Sequence, residues 1–354
     1  MERNFPVPAG DIARVRIIDT TTSIKTLETH HVLKPPMPGM YVLPELPTWS
    51  FLVESPGGRK ALFDLGIPPN YQEFSPWVLR FLNMDGWGWQ VSSKRHVADI
   101  LKDAMVDPAS ITDIVWSHWH WDHIGDPSTF PSSTQLVVGP GFKEAFLPGY
   151  PAKQDSPIRE SDYKGRELRE ITFHEPKDVL QIGPFRAFDL FGDGSFYLLD
   201  TPGHAIGHLA GLVRTTPDTF IMMGGDLCHH GGALRPSEHM PLPREVWLDA
   251  FQGFPGGFCP GTAFEKIQQD RGRRPDQPFF EPAYGEDIPL TMQTIGKAQV
   301  PDAAANVLFI SAHDTSIRGI VDLFPLEAND WKAKGWRDQV YWRFLEDFKD
   351  AVQA

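Results

Sequence analysis

His118, His120, Asp122 and His123 lie within six positions, spaced His-x-His-x-Asp-His. A lone His-x-His on a surface is usually just solvated. A carboxylate and a third histidine immediately beyond it argue for a site instead. Imidazole nitrogens and carboxylate oxygens, with no thiolate among them, suit zinc or another divalent ion at a hydrolytic centre. Three more candidates follow: His204 after Pro202-Gly203, Asp226 after Gly224-Gly225, and His313 after Ser311-Ala312. Together these are too many ligands for one tetrahedral ion, but they fit two ions with one carboxylate shared between them. Paired divalent ions bring the pKa of water towards ~7 and stabilise a developing oxyanion, which is the chemistry of hydrolysis at a carbonyl. Cys228, the only sulfur near these motifs in sequence, reads as a small buried hydrophobe and not as a nucleophile.

Each candidate follows a strand-like run. Ile111–Trp116 is short, β-branched and aromatic, and predicts a buried strand that delivers the first cluster. Residues 196–199, 219–223 and 306–310 precede His204, Asp226 and His313 in the same way. Residues 49–54 and 60–64 predict a hairpin turning at Ser55-Pro56-Gly57-Gly58, its second strand ending in Asp64. A first strand is expected over 14–24. A helix is expected from Ser93, with Val97, Ile100, Leu101, Ala104 and Met105 on its apolar face, Ser92 or Ser93 as its cap and a stop at Asp107-Pro108. Further strands are expected at 135–138, 179–182, 185–191 and 208–214, and a short helix at 289–299.

Other stretches are read less sharply. Residues 68–92, rich in aromatics, predict either ordinary core or an insertion folded over a cleft. Residues 148–166 predict a polar surface segment, and residues 231–285 predict irregular structure. A closing amphipathic helix is expected over 333–352, burying Tyr341, Phe344, Leu345, Phe348 and Val352. No repeat or low-complexity tract divides the chain, so the expectation is one domain over residues 1–354.

The bulk composition, 41% hydrophobic and 22% charged, is that of a globular protein. A formal net charge of −13 argues against nucleic acid or an anionic membrane as partner. The short basic run Arg271-Gly272-Arg273-Arg274 reads as a solvated loop. Two cysteines, Cys228 and Cys259, supply no disulfide framework. Met1 to Pro6 lacks the apolar run of a signal peptide, and no long apolar run appears elsewhere, which predicts a soluble, cytoplasmic protein.

The ordered series His118-x-His120-x-Asp122-His123, Pro202-Gly203-His204, Gly225-Asp226 and Ala312-His313 resembles the motif series of the metallo-β-lactamase superfamily. The resemblance covers roughly residues 48–315 and implies a four-layer αββα sandwich with its site where the two sheets meet. It implies that His118, His120 and His204 hold one ion, that Asp122, His123 and His313 hold the other, and that Asp226 bridges. Asp64 matches the acid that the family places behind its ligand histidines, and His208 is assigned a similar supporting place.

The layout, with Pro-Gly-His-x-x-Gly-His, looks most like acyl-homoserine-lactone lactonases and related lactam hydrolases. Those lactonases often carry a tyrosine three positions after the bridging aspartate, where this chain has His229. The implied activity is opening of a lactone or cyclic amide with an apolar acyl or aryl part, on two divalent ions with zinc as first choice. Asp122, Asp226 and His229 are the expected acid–base residues. A thioesterase releasing a product from a carrier is the alternative, and a non-catalytic metal-binding protein ranks below it.

Overall fold

The computed structural model describes residues 4–84, 86–174 and 179–353. Met1-Glu2-Arg3 of the expected leaderless start, Asp85 of the aromatic stretch, and Ala354 lie outside the described residues. Two six-stranded sheets form the centre. The first has, in spatial and chain order, β1 (Arg14–Asp19), β2 (Trp49–Glu54), β3 (Lys60–Phe63), β4 (Asp113–Val115), β5 (Gln135–Val138) and β6 (Leu168–Glu170). Its β1–β2–β3 part is antiparallel, and its β3–β4–β5–β6 part is parallel. The second sheet has β7 (Leu180–Ile182), β8 (Phe185–Asp189), β9 (Phe196–Asp200), β10 (Leu209–Arg214), β11 (Phe220–Met223) and β12 (Val307–Ile310). Only its β11–β12 pair is parallel.

The strands are apolar on both faces because each sheet is covered twice. Phe51, Val53, Ala61, Phe63, Val115 and Val137 of the first sheet share one buried cluster with Phe196, Leu198, Val213, Ile221, Met223 and Leu308 of the second. Alternate residues (Leu52, Leu62, Ile114 and Leu136) belong to another cluster with Val97, Ala98 and Leu101 of the helix Val97–Asp103. In the second sheet Leu212 and Met222 belong there too, with Ile295 and Ala298 of the helix Ile288–Asp302. The result is the αββα layering. Among the described residues no helix is long and apolar enough to cross a membrane.

Several expected boundaries move for physical reasons. The strand expected over 14–24 breaks at Thr20–Thr22. Thr21 takes φ +62, its N–H held by the Asp19 carboxylate at 2.8 Å, while the Thr20 hydroxyl donates to the Thr48 carbonyl. Ser23–Lys25 then pairs with Gln90–Ser92, so Ser92 is in a strand and His96, not Ser92 or Ser93, caps the following helix.

The segment 148–166 is not simply surface. Arg159 is buried, with Nε and Nη2 donating to Asp162 Oδ1 at 3.0 and 2.7 Å, and such pairing is what lets charges leave water. The stretch 231–285 contains a ten-residue helix, Gly261–Asp270. Arg271 is not solvated either, since it donates to the carbonyls of Pro35, Pro36 and Phe279 and ties that stretch to the proline-rich loop.

The continuous helix expected over 333–352 is three short pieces, Trp336–Val340, a 3-10 turn at Arg343–Phe348, and Lys349–Gln353. Trp342 leaves helical geometry at φ −109, ψ 4. Tyr341 beside it is locked onto β12, its hydroxyl accepting from Phe309 N at 3.0 Å and donating to Val307 O at 3.1 Å. Tyr341, Phe344, Leu345 and Phe348 are buried as expected, whereas Val352 is only half-buried.

Candidate metal centre

The residues picked out by type all lie just beyond C-terminal strand ends, along one edge of the sandwich: Asp64 after β3, His118 to His123 after β4, His204 after β9, Asp226 after β11 and His313 after β12. Backbone hydrogen bonds pull these ends together. Leu209 N donates to Ser117 O at 2.7 Å across the two sheets, Ala312 N to Gly225 O at 2.9 Å, and Leu65 N to His123 O at 2.8 Å. Gly225 adopts φ +53, and a Cβ there would meet His208 Nε2 and Ser117 Cβ at 3.0 Å. Only glycine allows the chain to approach closely enough to bring Asp226 in.

Two groups of potential ligands result. One ligand atom from each of His118, His120, His204 and Asp226 lies within 4.8 Å of the others, and the same holds for Asp122, His123 and His313. Asp226 faces both. Its Oδ2 is 3.7 Å from His118 Nε2 and 3.4 Å from His204 Nε2. Its Oδ1 is 3.2 Å from His123 Nε2 and 3.1 Å from His313 Nε2. Asp122 Oδ2 completes the second group at 3.4 Å from His313 Nε2. His118 Nε2, His123 Nε2, His204 Nδ1 and Asp226 Oδ1 are buried without a hydrogen-bond partner. Buried polar atoms left unpaired in this way are costly and ask for an explanation. Metal coordination fits His118 Nε2, His123 Nε2 and Asp226 Oδ1, which face one another across the cluster, whereas His204 turns Nε2 and not the unpaired Nδ1 towards Asp226.

Asp64 and His208 both touch the candidate ligands. Asp64 Oδ2 lies 2.8 Å from His123 Nδ1 and accepts from the Ser117 hydroxyl at 2.8 Å, while Oδ1 accepts from Ser117 N at 2.7 Å. Ser117 Oγ is in turn 3.0 Å from His118 Nδ1, so Asp64 orients one imidazole directly and a second through the serine. Its own backbone is left-handed at φ +61. His208 supports the carboxylate side. Its Nδ1–H donates to Thr201 O at 3.0 Å, which leaves Nε2 to accept from Asp226 N at 3.1 Å. Pro47 O fixes His313 through Nδ1 at 2.6 Å. His229 Nε2 lies 3.3 Å from Asp226 Oδ2, and its ring is parallel to that of His313.

Electrostatics separate the two groups in the metal-free protein. Burial holds His118 and His204 well below the usual imidazole range, and brings His120 down to about 3 and His208 to about 4. These rings are neutral lone-pair donors. For His123 and His313 burial acts in the same direction, but Asp226 leads the carboxylates that carry both above the ordinary value. Burial would raise Asp226 too, yet His123 and His313 hold it well below the usual carboxylate range. Asp122 goes up, because burial outweighs those same two histidines.

Sequence reasoning missed Tyr284. It lies in the aperiodic 231–285 stretch, and no spacing links it to the motifs. Its ring centroid is 5.7 Å from that of His120 and 6.1 Å from that of His204. Burial first, then Asp122 and Asp226, push its phenol up to about 12, so it keeps its proton at neutral pH. Three aromatics of the stretch 68–92 face the candidate ligands. Phe81, Trp87 and Trp89 line a pocket of ≈ 440 Å³ that reaches His120, Asp122 and Asp226. Trp87 and Trp89 pack at 4.6 Å, and Trp121 meets Trp89 edge-on at 5.4 Å.

The sequence and the fold have counterparts among known proteins. The family model described as the metallo-beta-lactamase superfamily matches residues 43–224. A protein of Fusarium pseudograminearum named gamma-lactamase FDB1 is 39% identical over 345 residues, covering 94% of this chain and 82% of that one. The cytochrome P450 monooxygenase mpaDE of Penicillium roqueforti is 39% identical over 361 residues, which are 99% of this chain but 39% of that protein. This chain therefore matches only part of that longer relative. A structure of B. thuringiensis AiiA, with N-decanoyl-L-homoserine bound at its active site, superposes with a TM-score of 0.56 at 19% identity, over 90% of this chain and 99% of that one. Its likeness is one of fold. With the ligand series, the layered sheets and these matches in agreement, the chain belongs to the metallo-β-lactamase superfamily.

Proposed function

We propose that this chain is a hydrolase that uses two divalent metal ions to open a lactone or cyclic amide carrying an apolar acyl or aryl part. The observation that carries this reading is Asp226, whose two oxygens face different ligand groups at 3.1–3.7 Å. Further support comes from the relative named a gamma-lactamase and from the N-decanoyl-L-homoserine held in a similar fold. His118, His120 and His204 would hold one ion, Asp122, His123 and His313 the other, and Asp226 both. The all-nitrogen-and-oxygen donor set favours zinc. Bound there, the ions supply water activation near neutral pH and polarisation of the substrate carbonyl.

The chain's own residues do the rest. Asp64 and His208 fix the ligand side chains, so little rearrangement is needed. The aromatic pocket excludes water and seats the apolar part of the substrate. His229, beside Asp226, is placed to pass a proton to the leaving oxygen or nitrogen. Ligands come from both sheets, which supports reading residues 1–354 as one domain. A panel of N-acyl lactones, an aryl γ-lactam, a thioester and a phosphodiester tests the substrate assignment. Ring opening of a lactone or lactam is expected. Turnover of the thioester or the phosphodiester alone would overturn it.

The electrostatic split predicts how metal loading depends on pH. His123 and His313 have raised values in the metal-free fold. Their charged forms stabilise that fold at low pH, and this contribution fades as pH rises through the raised values. An ion entering their group must displace those protons, whereas His118, His120 and His204 are already neutral. Affinity for the second ion should therefore climb as pH rises through those raised values, and affinity for the first should be nearly flat. Calorimetric titration in buffers of different ionisation enthalpy should show proton release in only one of two binding steps. Equal release in both would contradict the split.

A further inference from the structure

Two pockets meet over the ligand cluster, and Tyr284 stands in the wall between them. The first is the aromatic pocket described above. The second, of ≈ 1020 Å³, extends along Trp77, Trp119 and Phe146 to the charged side chains of Lys153, Asp155 and Glu286. Phe81, His120 and Tyr284 line both. The Tyr284 ring is 5.9 Å from that of Trp87 and 6.5 Å from that of Phe81 on one side, and it covers His120 and His204 on the other.

Its backbone is held in place. Glu281–Pro282 pairs with Leu33–Lys34, and Glu286 N and Asp287 N donate to the carbonyls of His204 and Gly203, each at 2.9 Å. The residue is thus fastened to the loop that carries a metal-ligand candidate. Among the shared wall residues, Phe81 has no polar atom and His120 belongs to the ligand set. Trp89, next to the wall, already gives its Nε1–H to Leu82 O at 3.0 Å. Trp119 Nε1 is also unpaired but lines only the wider pocket, so the phenol is the neutral donor that borders both.

We propose that the Tyr284 hydroxyl donates a hydrogen bond to the reacting ester or amide group of the substrate, and that its ring divides the substrate's apolar part, in the aromatic pocket, from its polar remainder, in the wider one. The proposal rests on the ring-opening reading above. It makes Tyr284 a catalytic residue in the strict sense of touching the reacting group. A donor aimed at charge that develops during reaction acts on kcat more than on KM.

The test uses the two-ion protein and Tyr284→Phe, which keeps the ring and removes only the hydroxyl. With an N-acyl homoserine lactone and an aryl γ-lactam, kcat should fall on the order of 100-fold, the scale of losing one donor to a developing oxyanion. KM, ions per chain and the unfolding midpoint should stay close to wild type. Wild-type kcat in the variant would overturn the proposal. A second readout separates its failure from that of the function. N-decanoyl-homoserine binding is followed by quenching of the pocket tryptophans. If the wild type opens neither ring, the ring-opening reading fails; N-decanoyl-homoserine, whose free carboxylate carries the charge that the neutral substrate lacks, should still bind Tyr284→Phe more weakly if the contact is made. Equal binding would sink the contact as well.

Discussion

Asp226→Ala should lose both metal ions together, and ring opening with them. Its two oxygens serve separate ligand groups, so no single-site variant of a histidine should have the same effect. His118→Ala removes a donor from one group only, and His123→Ala from the other. Asp64→Ala is the instructive comparison. That carboxylate holds His123 and Ser117 and touches no shared centre, so its loss should weaken metal retention by roughly the 10–100-fold typical of a partner behind the ligands. Metal analysis after dialysis ranks the variants. If Asp64→Ala strips both ions while Asp226→Ala keeps one, the roles of the two acids are reversed.

The largest effect on stability is expected from Arg235→Ala. Arg235 is buried in the segment that leaves the site after His229 and His230. Its Nε and Nη2 donate to Asp302 at 2.9 and 2.6 Å, and its Nη1 to Tyr341 O at 2.8 Å. The guanidinium also lies 3.8 Å over the Tyr341 ring. One side chain therefore joins the site loop, the end of the helix Ile288–Asp302 and the C-terminal segment. Truncating it leaves the Asp302 carboxylate buried and unpaired, a loss of about 3–5 kcal/mol. Replacing both partners, Arg235→Met with Asp302→Leu, should recover most of that, because no orphaned charge remains. Chemical denaturation of the three proteins checks this. An Arg235→Ala midpoint equal to wild type would contradict the pairing as a stabilising contact.

The gathering of candidate ligands was legible because its chemistry is local. Histidines and aspartates directly after short β-branched runs mark strand ends, and strand ends of layered sheets gather on one edge. The supporting contacts of Asp64 and His208 were legible only as positions. Their partners, Ser117 with His123 and the Asp226 backbone, come from chain crossings that spacing does not reveal. Tyr284 and Arg271 were not legible. What places them is pairing between residues 281–282 and 33–34, together with carbonyls of Pro35 and Pro36, far away in sequence. The C-terminal helix was over-read because Tyr341, Phe344, Leu345 and Phe348 satisfy a helical spacing that a broken 3-10 segment also satisfies. The Tyr341 hydroxyl, bound to the β12 backbone, decides between them.

The central claim, two ions joined through Asp226 and used to open a ring, is tested most directly by adding zinc stepwise to chelated protein while following hydrolysis of the most active lactone or lactam. The account predicts no ring opening by the chelated protein and full activity when two equivalents are bound. Ring opening by the metal-free chain, or full activity at one equivalent with no further gain at the second, would contradict it.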